Sequence, residues 1–127
     1  MIRVVLIDDS ALARKFLTEA LERTGLIQVI GSAASAEDGM KILADTKPDV
    51  IVTDLLLPGL QGEVIVKIFQ RQTPVVVITS AEADDAAVAR VRGVASSVVL
   101  KPKVDSDVEK FCQDLANAVK TAATGQH

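Results

Sequence analysis

The stretch from Asp49 to Gly62, DVIVTDLLLPGLQG, decides the fold: an apolar strand runs into one acid and then into a Pro-Gly turn. Val50, Ile51 and Val52 form the β-branched run expected of a strand buried on both faces, and Asp54 is the first charge after it. The acid therefore stands at the carboxyl end of a strand. Pro58-Gly59 and Gly62 turn the backbone before a helix can start, which leaves Asp54 in an open loop above the sheet. Open α/β sheets bind and react at that edge. Alone, an Asp before a Pro-Gly turn reads as a helix cap or turn residue, so the other strand ends decide the matter.

Towards the amino terminus, residues 2–7 (IRVVLI) form a strand that ends in Asp8-Asp9-Ser10, and Ser10 suits the N-cap of the helix that follows. From Ala11 to Thr24, Leu12, Phe16 and Ala20, with Ala13, Leu17 and Leu21, recur at helical spacing, and Gly25 supplies the left-handed residue that ends the helix. A strand over residues 28–33 follows. Ser35 with Asp38 resembles a capping box and opens a short helix that Pro48 terminates.

Beyond Gly62, the residues Val64, Ile65, Ile68 and Phe69 read as one helix face, broken by Arg71-Gln72-Thr73-Pro74. Val75 to Ile78 is a fourth strand ending in Thr79-Ser80. Residues 83–92 (ADDAAVARVR) predict a helix with few large apolar groups, lightly anchored and mobile. Val94 to Leu100 is the fifth strand, finishing at Lys101-Pro102. Asp105 or Ser106 caps the last helix, whose Val108, Phe111, Cys112, Leu115, Ala116 and Val119 form a continuous stripe. Cys112 is thereby a core residue, and the tail TAATGQH frays. Strands alternating with helices imply an α/β chain with a parallel sheet, right-handed crossovers and helices on both faces.

The 127 residues suit one domain that buries roughly two-thirds of its unfolded surface. Apolar residues make up 49% but only three are aromatic, so the core is built from Val, Ile, Leu and Ala. A net charge of −3 with interspersed signs argues against nucleic acid or an anionic membrane as the main partner. One cysteine excludes an internal disulfide. With no cationic leader and no apolar run near the roughly 18 residues that span a bilayer, the expectation is a cytoplasmic protein.

Asp8 and Asp9, Asp54, Thr79 and Lys101 each end a strand, and a parallel sheet sets those ends side by side. Three carboxylates in one pocket repel at neutral pH, and Lys101 offsets only one. Hard oxygen ligands with room for water suit Mg²⁺, which takes one or two carboxylates and completes its shell with waters and phosphoryl oxygens. Asp54 can then attack a phosphoryl group as an already ionised nucleophile, giving a mixed anhydride. The Lys101 ammonium and the Thr79 hydroxyl, with backbone N–H groups, take the phosphoryl oxygens that the metal does not. Each piece has an ordinary reading: Asp8-Asp9 as helix-dipole charge, Thr79-Ser80 as a cap, Lys101 as a solvated strand end. The recurrence at four strand ends is what those readings leave unexplained. A mononucleotide site would want a Gly, Ser and Thr loop after the first strand, where two acids stand. An aspartyl phosphatase would carry an acid two residues after its nucleophile, where Leu56 stands.

These residues, Asp8, Asp9, Asp54 with PG and G behind it, Thr79 and Lys101-Pro102, resemble a response-regulator receiver domain of two-component signalling over about residues 2–122. The runs DDSALAR and TPVVVITS are most similar to the receiver of chemotaxis methylesterases. The resemblance implies a doubly wound (βα)5, flavodoxin-like sandwich of strand order 2-1-3-4-5 over residues 1–122, with 123–127 as a tail. It implies Asp54 as phosphoacceptor, charged by a sensor histidine kinase or histidine phosphotransfer domain. It further implies Mg²⁺ or Mn²⁺ on Asp9, Asp54 and the Leu56 carbonyl, with Asp8 acting mainly through water. Thr79 would be the switch hydroxyl, Lys101 the phosphoryl-binding cation, and the Lys101-Pro102 bond cis.

Such a domain catalyses only its own phosphorylation and dephosphorylation, and signals to an output protein or effector, alone or as a homodimer. Ala11, Leu12 and Arg14 would face a docked histidine-bearing helix. Two features depart from the pattern. Val98 stands where many receivers carry Tyr or Phe, and the apolar Leu56 and Ala81 imply slow hydrolysis of the phosphoryl-aspartate. The alternatives are a receiver-fold interaction module that never meets phosphate, and the receiver fragment of a methylesterase.

Overall fold

The computed structural model describes residues 1–55, 62–80 and 86–125. Within them the chain alternates strand and helix: β1 (Ile2–Ile7), α1 (Ala11–Glu22), β2 (Ile27–Ala33), α2 (Ala36–Thr46), β3 (Val50–Asp54), α3 (Gly62–Gln70), β4 (Val75–Thr79), α4 (Ala86–Arg92), β5 (Ser97–Leu100) and α5 (Val108–Ala123). All strand pairs are parallel and the order is β2-β1-β3-β4-β5. This is the doubly wound order expected, reversing direction between β1 and β3. Alternate side chains of each strand feed opposite cores. Val4, Leu6, Val50, Val52, Val76 and Ile78 pack with α1 and α5, whereas Val5, Ile7, Ile51, Val75 and Val77 pack with α2, α3 and α4. Two-sided burial is why the central strands β3 and β4 read as runs of Val and Ile, whereas the edge strand β2 carries Gln28, Gly31 and Ser32.

Local chemistry sets the ends of the elements. Ser10 and Ser35 cap α1 and α2, each accepting through Oγ from the N–H three residues on, at 3.2 Å. Gly25 has φ 74, the left-handed turn expected after α1. Lys47 closes α2 at φ 48, and the Arg3 guanidinium donates to the carbonyls of Thr46 and Lys47, tying β1 to that helix end. Gly39 lets α2 lie close on β1: a Cβ there would meet Ile7 Cδ1 at 2.5 Å.

Several boundaries differ from expectation. β5 starts at Ser97 because the N–H groups of Val94 and Ala95 bond the Val91 carbonyl and close α4. Neither Asp105 nor Ser106 caps α5; residues 105–107 form a 3-10 turn instead, which satisfies first-turn donors through the backbone. On α3, Ile65, Val66 and Phe69 are buried, while Val64 and Ile68 face outward. No described peptide bond is cis, so Lys101-Pro102 is trans, the isomer that X-Pro bonds favour by about 0.5–1 kcal/mol. Helix α5 runs to Ala123, one residue past the expected domain boundary and three residues into the tail expected to fray, because Ala122 is buried in its core; Cys112 packs beside that core as expected. The Pro58-Gly59 turn, the Leu56 carbonyl, Ala81, the start of the fourth predicted helix at 83–85 and residues 126 and 127 lie outside the described residues. No helix of the described residues is long and apolar enough to cross a membrane.

Candidate functional site

Strand register brings the candidate residues together. Ile7 pairs with Thr53, Asp54 with Ile78, and Thr79 with Leu100. One step further along, Asp8 lies beside Asp54, Thr79 follows Ile78, and Lys101 follows Leu100. All four stand on one edge, at the carboxyl ends of β1, β3, β4 and β5.

Asp54 is nine-tenths buried, and Lys101 crosses to it with Nζ 2.6 Å from Oδ2. Lys101 is aimed by its backbone, whose N–H donates to the Thr79 carbonyl at 2.8 Å. Thr79 is fully buried at the end of β4. Val98 is half-buried against the layer of α2 to α4.

Asp8 is held from several sides. Its N–H donates to the Ala33 carbonyl at 3.0 Å, its Oδ1 accepts from the Ser10 N–H at 2.9 Å, and its own carbonyl accepts from Arg14 Nη1 at 2.6 Å. Its Oδ2 is buried with no hydrogen-bond partner. Burial pushes the Asp8 carboxyl above its ordinary 3.8; the Ser10 N–H opposes this, the Asp54 charge adds to it, Lys101 opposes and Asp9 adds. Asp9 itself is exposed.

These features fit a divalent cation. A buried carboxyl with an orphaned oxygen, its acidity weakened first by burial and then by two neighbouring acids, gains most from a positive charge. Among the described residues no three acidic, His or Cys side chains form a closed cage. The fit is to a hard ion such as Mg²⁺, held by one or two carboxylates and otherwise by water and substrate oxygens.

The sequence singled out Asp8, Asp9, Asp54, Thr79 and Lys101, and all five stand at this edge. It missed the inward role of Arg14, whose N–H bonds the Ser10 carbonyl one turn into α1. Helical side chains lean towards the helix N-terminus, so a cation at that position was the available signal.

A parallel five-stranded sheet with acids, a buried hydroxyl and a lysine on its carboxyl edge defines a signalling receiver. The response regulator receiver domain family matches residues 4–113, and the chain belongs to that family. Curated relatives include a protein-glutamate methylesterase/protein-glutamine glutaminase of Symbiobacterium thermophilum, 39% identical over 96% of this chain. A second, from Geobacter sulfurreducens, is 34% identical over 94% of it. The chain spans about a third of the length of these two relatives, 35% and 33%. Among solved structures, the response regulator domain of Thermotoga maritima CheB aligns over 98% of this chain and 97% of its own, with 25% identity and a TM-score of 0.85.

Proposed function

We propose that this receiver is a phosphorylation-dependent switch in which Asp54 accepts a phosphoryl group from a phosphohistidine of a partner kinase or phosphotransfer domain. The observation that carries the reading is Lys101 Nζ lying 2.6 Å from the Asp54 carboxylate at the carboxyl end of β3. An Asp54 oxygen attacks phosphorus, the P–N bond to the donor imidazole breaks, and the leaving nitrogen keeps that electron pair. The new P–O bond makes a mixed anhydride. Lys101 then exchanges its hold on the carboxylate for one on a phosphoryl oxygen, a charge-assisted contact. The buried Thr79 hydroxyl turns to another and carries the change to the surface of α4, β5 and α5. Asp8, Asp9 and Asp54, with the Leu56 carbonyl, would hold Mg²⁺ or Mn²⁺, which supplies positive charge to the transferring group. The site works in the cytoplasm, on protein partners.

Incubation with acetyl phosphate and Mg²⁺, read by intact mass, tests this. The expected result is a gain of one phosphoryl group in the wild type and none in Asp54→Ala or with a chelator. A wild type that gains nothing overturns the proposal in favour of a phosphate-independent interaction module. The likeness to methylesterases and to the receiver of CheB supports a second reading, in which this receiver regulates an esterase activity in chemotaxis.

A further inference from the structure

We propose that Arg14 is a positioning residue for the acidic loop, grasping the main-chain carbonyl of Asp8 so that the Asp8 and Asp9 carboxylates are presented to a divalent cation. This rests on the reading above only in that a cation occupies the edge. The sequence put Arg14 on the outer face of α1 beside Leu12, but the two diverge. Leu12 is 79% exposed. Arg14 is half-buried and turns back past the N-cap, with Nη1 2.6 Å from the Asp8 oxygen. That carbonyl is where the chain leaves β1.

The rest of the loop shows what the clasp adds. Asp8 is anchored on its sheet side by the bond to Ala33, and Ser10 is anchored on the helix side by accepting from Ala13. The span from Asp8 to Ser10 joins these anchors. Within it the Ser10 N–H orients one oxygen of the Asp8 carboxyl and leaves Oδ2 turned inward and unpartnered. A guanidinium on the Asp8 carbonyl fixes the peptide plane between Asp8 and Asp9, and with it the direction in which each carboxylate leaves the chain. A charge-assisted bond of this kind is stronger than a neutral one.

The charge itself acts the other way. A cation beside two carboxylates repels an incoming metal ion, so its loss by Coulomb's law alone would tighten metal binding. Geometry and charge thus predict opposite signs, and the proposal commits to weakening.

The test uses the full chain, with Mn²⁺ as the probe and the free-ion electron paramagnetic resonance signal as the readout. Amide exchange of the metal-free protein is measured in parallel. Arg14→Ala is expected to weaken Mn²⁺ binding about tenfold, the scale of losing a residue that orients a ligand. It is also expected to speed exchange at Ser10 more than at Leu17 and Leu21 of the same helix. Arg14→Lys, which keeps the charge and a donor, restores most of the affinity. Arg14→Gln, neutral but still a donor, serves if the alanine variant does not fold, and is expected to bind more weakly than wild type. Unchanged or tighter Mn²⁺ binding in a folded neutral variant overturns the proposal, as does a wild type that takes up no Mn²⁺. A wild type whose Mn²⁺ affinity depends on Arg14 yet which accepts no phosphoryl group upholds this inference while refuting the function proposed above.

Discussion

Helices α4 and α5 both pack against β5, yet they are anchored very differently. Helix α5 has sixteen residues and buries Phe111, Leu115, Ala116, Val119 and Ala122. Among the described residues, helix α4 has seven and buries Val88 and Val91, with an Arg90 Nε–Glu63 Oε2 ion pair of 3.0 Å linking it to α3. Thr79 ends the strand that leads towards α4, and Lys101 the strand that leads towards α5. Few buried apolar contacts mean a low free energy of local rearrangement. On the reading proposed above, a change at Thr79 would reach α4 first, the element that rearranges most easily, while the buried face of α5 holds the sheet that keeps Asp54 and Lys101 in register.

The contrast can be broken by substitution. Leu115→Ala, at a fully buried position of α5, is expected to cost about 3 kcal/mol in denaturant unfolding. A cost under about 1 kcal/mol would show that α5 is not the anchor. Val91→Ala on α4 removes two methyl groups and should cost about 1.6 kcal/mol by transfer, with amide exchange accelerated in α4 more than in α5. Uniform acceleration would contradict the account.

Asp8→Asn sharpens the comparison at the site itself. The folded carboxyl titrates above 3.8 because it is buried. Stability therefore falls as pH rises through that raised value, and no penalty remains once the pH is below 3.8. Without metal, the Asn variant should be more stable than wild type by about 1 kcal/mol at neutral pH, with the gap closing on acidification. A gap that widens towards acid would reverse the assignment. The smallest effect is expected from Arg90→Ala: a few tenths of a kcal/mol by double-mutant cycle with Glu63→Gln, as for other exposed ion pairs. A coupling above about 1 kcal/mol would mean that α4 is held more firmly than its apolar contacts indicate.

Much of this was legible in the sequence because the inner strands, buried on both faces, print themselves as runs rich in Val and Ile, with Asp8, Asp54, Thr79 and Lys101 standing at or just past the carboxyl ends of β1, β3, β4 and β5. That alone put Asp8, Asp54, Thr79 and Lys101 on one edge. What stayed hidden depended on tertiary choices. Apolar residues at 64, 65, 66, 68 and 69 surround α3, so periodicity could not choose between Val66 and the outward Val64 and Ile68. Val94 and Ala95 have the composition of a strand but serve to close α4. The two isomers of Lys101-Pro102 lie too close in energy for sequence to decide. The buried Oδ2 of Asp8 and the inward turn of Arg14 arise only when β1, its loop and α1 are assembled.

The most direct measurement is residue-resolved hydrogen exchange of the wild type with Mg²⁺, with and without the phosphomimetic BeF₃⁻, with Asp54→Ala as control. The account predicts altered protection at Val88 and Val91 of α4, none at Leu115 and Val119 of α5, and no response in the control. Equal changes in both helices, or a response that survives Asp54→Ala, would contradict it.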